Sequence, residues 1–220
     1  MIAFFADNHF NARPGYYIHQ RLDTSLPIEF HEDDLSALPH LLSSPDCRLL
    51  ILNWISDTGD NPHPGTEIEQ PLKAYLASGR PLLLLHGSSA AFAQWAWWRE
   101  MVGLRWVRPN DPDGFPPSTH PVRPYSINIT KTRHPLAAQL KAFELPTDEI
   151  YIHLEQTCPV SVLMETTTDE GTFPQAYLAK NQWDGTIASF IPGHKAASFD
   201  CPQLIDNIQL LIAYLLSETK

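Results

Sequence analysis

Two histidines stand where apolar runs stop. Leu82-Leu83-Leu84-Leu85 ends at His86-Gly87-Ser88-Ser89, and Ile187-Ala188-Ser189-Phe190-Ile191 ends at Pro192-Gly193-His194. Each run reads as a strand that hands an imidazole to a glycine turn. Imidazole is the side chain whose ordinary pKa lies nearest neutrality, so two of them at one sheet edge suit proton transfer. Between them in the chain, Thr147-Asp148-Glu149-Ile150-Tyr151 brings a carboxylate pair into a strand, with Glu149 and Tyr151 on one face by alternation. A carboxylate facing an imidazole orients it and raises its basicity, and a carboxylate in a dry pocket is itself a base. His86, His194 and Glu149 are therefore the catalytic candidates. Plain structural roles stay open beside these: His86 as a strand cap bonded to its neighbours, Glu149 as a solvated strand start.

The segment after His86 carries Phe92, Trp95, Trp97 and Trp98. Indole faces stack on the C–H faces of sugars or on planar rings, and Trp95 and Trp98 share a helical face from which Trp97 points away. Tyr151, Trp95, Trp98 and Ser88 are the substrate-binding candidates, with core packing as the other use of the tryptophans. His86-Gly87-Ser88-Ser89-Ala90 is not a GxSxG elbow, which leaves Ser88 and Ser89 as weaker nucleophiles. No GxxxxGK[ST] or GxGxxG run occurs, so neither ATP nor a dinucleotide cofactor is expected. The ten histidines are mostly isolated and His31-Glu32-Asp33 reads as a charged strand end; no metal site is expected.

The elements that must position these residues follow from periodicity. Ile2 to Phe5, Ile28 to His31 and Leu49 to Trp54 are short apolar runs, with a helical pattern at Tyr16 to Leu22 between the first two. This is the rhythm of a parallel sheet. Thr66 and Glu69 predict a capping box for a helix carrying Ile68, Leu72, Tyr75 and Leu76, with Pro71 near its first turn and Gly79 as its stop. Leu82 to Leu85, apolar throughout, predicts a central strand covered on both faces, and a helix from Ser89 to Val102 is expected next. Six prolines between Arg108 and Pro124 predict a long loop, either a surface insertion or a cover over the site. Tyr125 to Thr130, Glu149 to Leu154, Val160 to Glu165 and Thr186 to Ile191 predict strands, the first three as antiparallel additions. Pro202 to Leu216 predicts a closing amphipathic helix.

With 220 residues, 43% of them hydrophobic, the chain can bury one sizeable core, and a single domain over 1–220 is expected. A net charge of −10 and the isolation of Arg99, Arg105, Arg108, Arg123 and Arg133 argue against a nucleic-acid partner. Cys47, Cys158 and Cys201 form neither a disulfide framework nor a zinc spacing. Met1 to Asp7 lacks the basic start and long apolar stretch of a secretory signal, and no run approaches a membrane span. A cytoplasmic protein without a membrane partner is expected.

Taken in order, the His86-Gly87 turn, Phe92 to Trp98, Met101-Val102-Gly103, Arg133-His134-Pro135-Leu136, Asp148-Glu149-Ile150-Tyr151 and Ile191-Pro192-Gly193-His194 resemble the ThuA-like, trehalose-utilization family over about residues 47–216. The resemblance implies a flavodoxin-like fold of the class I glutamine amidotransferase-like superfamily. In amidotransferases a cysteine at the strand-to-helix elbow is the nucleophile, and a histidine after a later strand activates it. Here His86 stands at or beside the elbow and His194 resembles the later histidine. Without a thiolate there, glutaminase chemistry is disfavoured. What the resemblance implies instead is carbohydrate metabolism, with a disaccharide or keto-sugar as the small-molecule partner and general acid–base catalysis as the mechanism. The alternatives are a non-catalytic sugar- or partner-binding module and an assembly subunit whose Trp-rich helix and proline loop form an interface; homo-oligomerisation stays open.

Overall fold

The structure, a computed structural model, describes residues 1–58, 61–111 and 113–218. In chain order the elements are β1 (Ile2–Ala6), α1 (Pro14–His19), β2 (Ile28–Glu32), α2 (Leu38–Ser43), β3 (Leu49–Asn53), α3 (Thr66–Ala77), β4 (Leu82–Leu85) and α4 (Ala96–Met101). There follow β5 (Leu104–Arg105), β6 (Val122–Ile129), β7 (Phe143–Glu149), β8 (Glu155–Gln156), β9 (Val160–Thr168), β10 (Gly171–Lys180), β11 (Thr186–Phe190) and α5 (Pro202–Glu218). Among the described residues, nine strands form one sheet in the order β2-β1-β3-β4-β11-β10-β9-β6-β7, and β5 pairs with β8 apart from it.

The first five strands of that order are mutually parallel. The next four pairings are all antiparallel, so β7 points the same way as β11 and ends at the same sheet edge. This is the expected α/β, flavodoxin-like sheet, with an antiparallel extension nearly as large as its parallel core.

The sheet is apolar on both faces because each central strand sends alternate side chains to opposite cores. Leu83 and Leu85 of β4 meet Phe4, Ile51 and the α5 residues Leu204, Ile208 and Leu211 on one face. Leu82 and Leu84 meet Phe5, Leu50, Leu52, Leu72 and Trp98 on the other. Burial stabilises each such leucine by about 1.5–3 kcal/mol, before the conformational entropy that folding costs.

Several local expectations are corrected. The helix expected from Ser89 to Val102 is a short 3₁₀ turn at His86–Ala90 followed, after a break, by α4. The break has a physical cause. Phe92 takes a left-handed backbone (φ 50°), and the amides of Phe92 and Ala93 donate to Ser56 Oγ and Asp57 Oδ2 at 2.8 Å rather than to helical carbonyls. The cap of α3 is Gly65, whose N–H is bound by the Glu67 carboxylate at 3.0 Å. Glu69 instead accepts from the Trp97 indole N–H at 2.8 Å, and Pro71 lies in the second turn, inside the helix.

Glu149 closes β7 rather than opening a strand, and only Ile152 of the following residues makes a β-bridge, to Thr119. β10 was hidden in the sequence because Gly171, Pro174 and Gln175 interrupt its alternation. Its ladder is irregular between Pro174 and Ala176, where a missing amide is tolerated.

Candidate active site

The chemistry-bearing side chains collect at the carboxyl edge of the parallel strands, where open α/β sheets bind ligands. β1 leads into Asp7 and His9, β4 into His86, β7 into Asp148, Glu149 and Tyr151, and β11 into Gly193 and His194.

His86 is the innermost of these, 2% exposed, with its backbone in the left-handed region (φ 46°). For a residue with a Cβ that conformation costs about 1–2 kcal/mol, and it turns the ring inward from the end of β4. The His86 Nδ1–H donates to the Ile191 carbonyl at 3.0 Å, so in the neutral ring Nε2 carries the lone pair. Three groups converge on that one nitrogen: His194 Nδ1 at 3.1 Å, the Tyr151 hydroxyl at 3.2 Å and Glu149 Oε2 at 3.5 Å.

His194 is aimed by a different device. Its backbone N–H donates to both oxygens of Asp148, at 3.2 and 3.0 Å. Asp148 is fully buried and also accepts from Ser198 Oγ and, at 2.7 Å, from the Glu149 amide. Gly193, at φ 110°, supplies the backbone turn that carries the chain to this anchor.

Glu149 is ringed by imidazoles: His120 Nδ1 at 3.2 Å and His194 Nε2 at 3.7 Å from Oε1, and His86 from Oε2. Burial pushes its carboxyl upward, but the His86 contact and the charges of His86, His194 and His120 outweigh it and bring the pKa to about 2. Burial, reinforced by His86, lowers His194 to about 4. Burial likewise lowers His9 and holds the Tyr151 phenol well above its ordinary value. At pH 7 the site therefore presents a carboxylate, neutral imidazoles at 9 and 194, and a protonated phenol.

A cavity of about 290 Å³ opens against His9, Trp106, His120, Glu149, Tyr151 and His194. That volume is at the small end of small-molecule sites. A hollow of about 330 Å³ lies between β9, β10 and α5, but no carboxylate lines it. Arg108, Pro109 and His120 of the proline-rich segment line one side of the first cavity. Arg108 donates to the carbonyls of Ile55, Ser56, Asp57 and Ala90, and the Ile150 amide donates to Pro121.

Of the residues anticipated from sequence, His86, His194, Glu149 and Tyr151 come together here. Trp95, Trp98 and Ser88 do not. Trp98 is fully buried in the core on the α3 side, packed edge-on against Phe92, and Trp95 stacks between Phe92 and Trp97. Ser88 Oγ is also fully buried, within 2.7 and 2.8 Å of the carbonyls of Leu52 and Leu85 and accepting from the Trp54 amide. It ties β3 to β4 and has no access to a ligand.

The structure adds His9, His120, Trp106 and the anchor Asp148. His9 follows β1 as His86 follows β4, which is the signal that could have singled it out; His120 and Trp106 sit in irregular segments that carry no such pattern. His9, His86 and His194 each offer a ligand atom within 4.8 Å of the others, an arrangement able to hold a metal ion.

Comparison with known proteins places the chain among relatives. Residues 28–214 match the family model ThuA, described as trehalose utilisation. Among solved structures it is similar to a ThuA-like protein from Parabacteroides merdae, with 16% identity, TM-score 0.75, and coverage of 100% of this chain and 90% of that one. A ThuA-like protein from Bacteroides uniformis gives 15% identity and TM-score 0.72, covering 100% and 93%. A cytoplasmic protein from Salmonella typhimurium gives 10% identity and TM-score 0.62, covering 97% and 98%. At these identities the likeness is one of fold. No curated protein matches the sequence.

Proposed function

The chain belongs to the ThuA, trehalose-utilisation family, and on that premise we propose that it transfers protons on a sugar or keto-sugar bound in the crevice beside Glu149. The observation that carries this reading is the Glu149 carboxylate held between three imidazoles, 3.2 to 3.7 Å away, on the wall of the cavity. An imidazole so paired takes the proton from the carbon next to a sugar carbonyl, while Glu149, ionised throughout the neutral range with its pKa about 2, orients that ring and stabilises the imidazolium that forms. The C–H electron pair becomes the C=C bond of an enediolate, whose oxygen takes a hydrogen bond from a donor on the same cavity wall and becomes an enediol once it takes up a proton. Tyr151 keeps its O–H across the neutral range and supplies that hydrogen bond, together with the imidazoles around it. Returning the proton to carbon completes an isomerisation or epimerisation with no external oxidant. The cavity accommodates a single sugar unit more readily than a whole disaccharide.

Glutamine hydrolysis is disfavoured on chemical grounds. It needs a thiolate at the elbow, where this chain has His86. Cys47 is buried before β3, Cys158 precedes β9, and Cys201 precedes α5, none of them on the cavity wall.

The test is proton exchange. A panel of sugars and 3-keto-sugars, incubated with the protein in D₂O, should show deuterium entering the carbon beside the carbonyl by NMR. Glu149→Gln should slow that exchange by roughly 10²-fold or more. Exchange that is unaffected by Glu149→Gln would remove Glu149 from the mechanism, and ligand binding without exchange by the folded protein would replace this reading with that of a binding module.

A further inference from the structure

We propose that His9, His86 and His194 form a three-imidazole site for a divalent first-row transition-metal ion of the zinc class. The inference deepens the proton-transfer reading and rests on it for what the metal would do; whether metal binds is tested separately.

The first argument is convergence. His86 Nε2 has room for one hydrogen-bond partner, yet His194 Nδ1, the Tyr151 hydroxyl and Glu149 Oε2 all lie within 3.5 Å of it. The separation of 3.1 Å between His86 Nε2 and His194 Nδ1 is close to the roughly 3.3 Å that separates two nitrogens bound tetrahedrally to one zinc at about 2.0–2.1 Å. His9 completes the set, its ligand atom within 4.8 Å of the other two.

The second argument lies in what surrounds the three rings. Imidazole ligands characteristically donate their other N–H to a carbonyl or carboxylate, which fixes the tautomer. His86 Nδ1–H does so to the Ile191 carbonyl at 3.0 Å, leaving Nε2 free to ligate. Asp7 and His9, at 1% and 4% exposure, face each other with Oδ1 and Nδ1 at 3.6 Å, both atoms buried and neither hydrogen-bonded. Two orphaned polar atoms so close together are costly. A His9 Nδ1–H turned onto Asp7 Oδ1 would satisfy both atoms and leave Nε2 as the nitrogen free to ligate beside His86 and His194.

Close packing supports the same geometry. A Cβ on Gly87 would stand 2.7 Å from His9 Cε1 and 3.3 Å from the Tyr151 hydroxyl, so only glycine lets the His9 ring lie against the His86 turn. The donor set is imidazole nitrogen with a carboxylate alongside, which suits zinc and its neighbours rather than magnesium or calcium. Three protein ligands leave a further position for a sugar oxygen, which the ion would polarise as a Lewis acid.

The experiment is metal binding to the full chain, stripped with a chelator and then titrated with Zn²⁺ by calorimetry and with Co²⁺ by visible absorption. One equivalent per chain is expected, with Co²⁺ bands of a four- or five-coordinate nitrogen site. His9→Gln and His194→Gln should each weaken binding by roughly 10²-fold or more, whereas His134→Gln, remote from the crevice, should leave it unchanged. Where a variant fails to fold, the Co²⁺ spectrum of the unmodified protein decides: a hexa-aquo-like spectrum overturns the site. Absence of stoichiometric binding by folded protein, or binding that survives loss of both His9 and His194, overturns it as well. Zinc binding without deuterium exchange into any sugar keeps the site and removes the sugar reading; exchange by metal-free protein keeps the sugar reading and removes the ion's Lewis-acid role from it.

Discussion

After β4 the chain turns at His86 itself, in a left-handed backbone conformation (φ 46°), whereas after β11 it turns at Gly193 (φ 110°) and delivers the histidine one residue later. The His86 ring is fastened through its own Nδ1–H to the Ile191 carbonyl. The His194 ring is placed indirectly, because Asp148 holds the backbone amide beneath it. The two imidazoles end 3.1 Å apart. One turn stores backbone strain and locks a side chain; the other relaxes the backbone with glycine and depends on a buried carboxylate from β7. Two similar strand-to-glycine signals thus have different points of failure.

The largest separation between the two turns should come from Asp148→Ala. It removes a charged acceptor from the His194 and Glu149 amides and from Ser198 Oγ. Leaving those donors without it should cost about 3 kcal/mol or more and lower Tm by roughly 6–12 °C in a chain of this size. Calorimetry or circular dichroism would measure this, and a loss under about 1 kcal/mol would mean that the second turn does not depend on its anchor.

Acidification should act next. In the metal-free protein burial lowers His194 to about 4 in the folded state, against 6.5 when unfolded, so its neutral form is favoured by folding. Its contribution is complete above pH 6.5 and is lost as pH falls toward 4, because the unfolded chain takes up the proton first. Urea midpoints should fall across that window by something on the order of 2–3 kcal/mol in stability. His194→Gln should flatten the fall. Glu149, lowered to about 2, loses its contribution in a separate window below about 4.5.

The smallest effect is the most diagnostic of strain. His86→Gly should be more stable than His86→Ala by about 1 kcal/mol, since glycine relieves the left-handed conformation. At position 194, which has no positive φ, glycine should gain nothing over alanine. Equal stabilities for the two position-86 variants would remove the distinction between the turns.

The sheet core was legible because Leu82 to Leu85 and Ile187 to Phe190 are buried on both sides and therefore unbroken in sequence. The histidines at their ends were legible for the same reason. Tyr151 and Glu149 reached the site although β7 ends where a strand was expected to begin, because the side chains lie at a junction either way. The tryptophans misled because an aromatic side chain looks identical whether it faces a crevice or, like Trp98, the core. His9 carried the same strand-end signal as His86, in a loop after β1, whereas His120 sits in an irregular segment and meets the others only through the sheet order, which local periodicity does not encode.

That sheet order bears on how the chain reaches its folded state. β4 lies between β3 and β11, yet the His86–Ile191 contact joins residues 105 positions apart in the chain. A nascent chain that has made β1 to β4 exposes a four-leucine edge with unpaired amides and carbonyls, a template for aggregation until β11 is synthesised and docks. Assembly of the histidine centre is therefore a late event limited by long-range loop closure, and truncation before residue 186 removes both the centre and the strand that guards this edge.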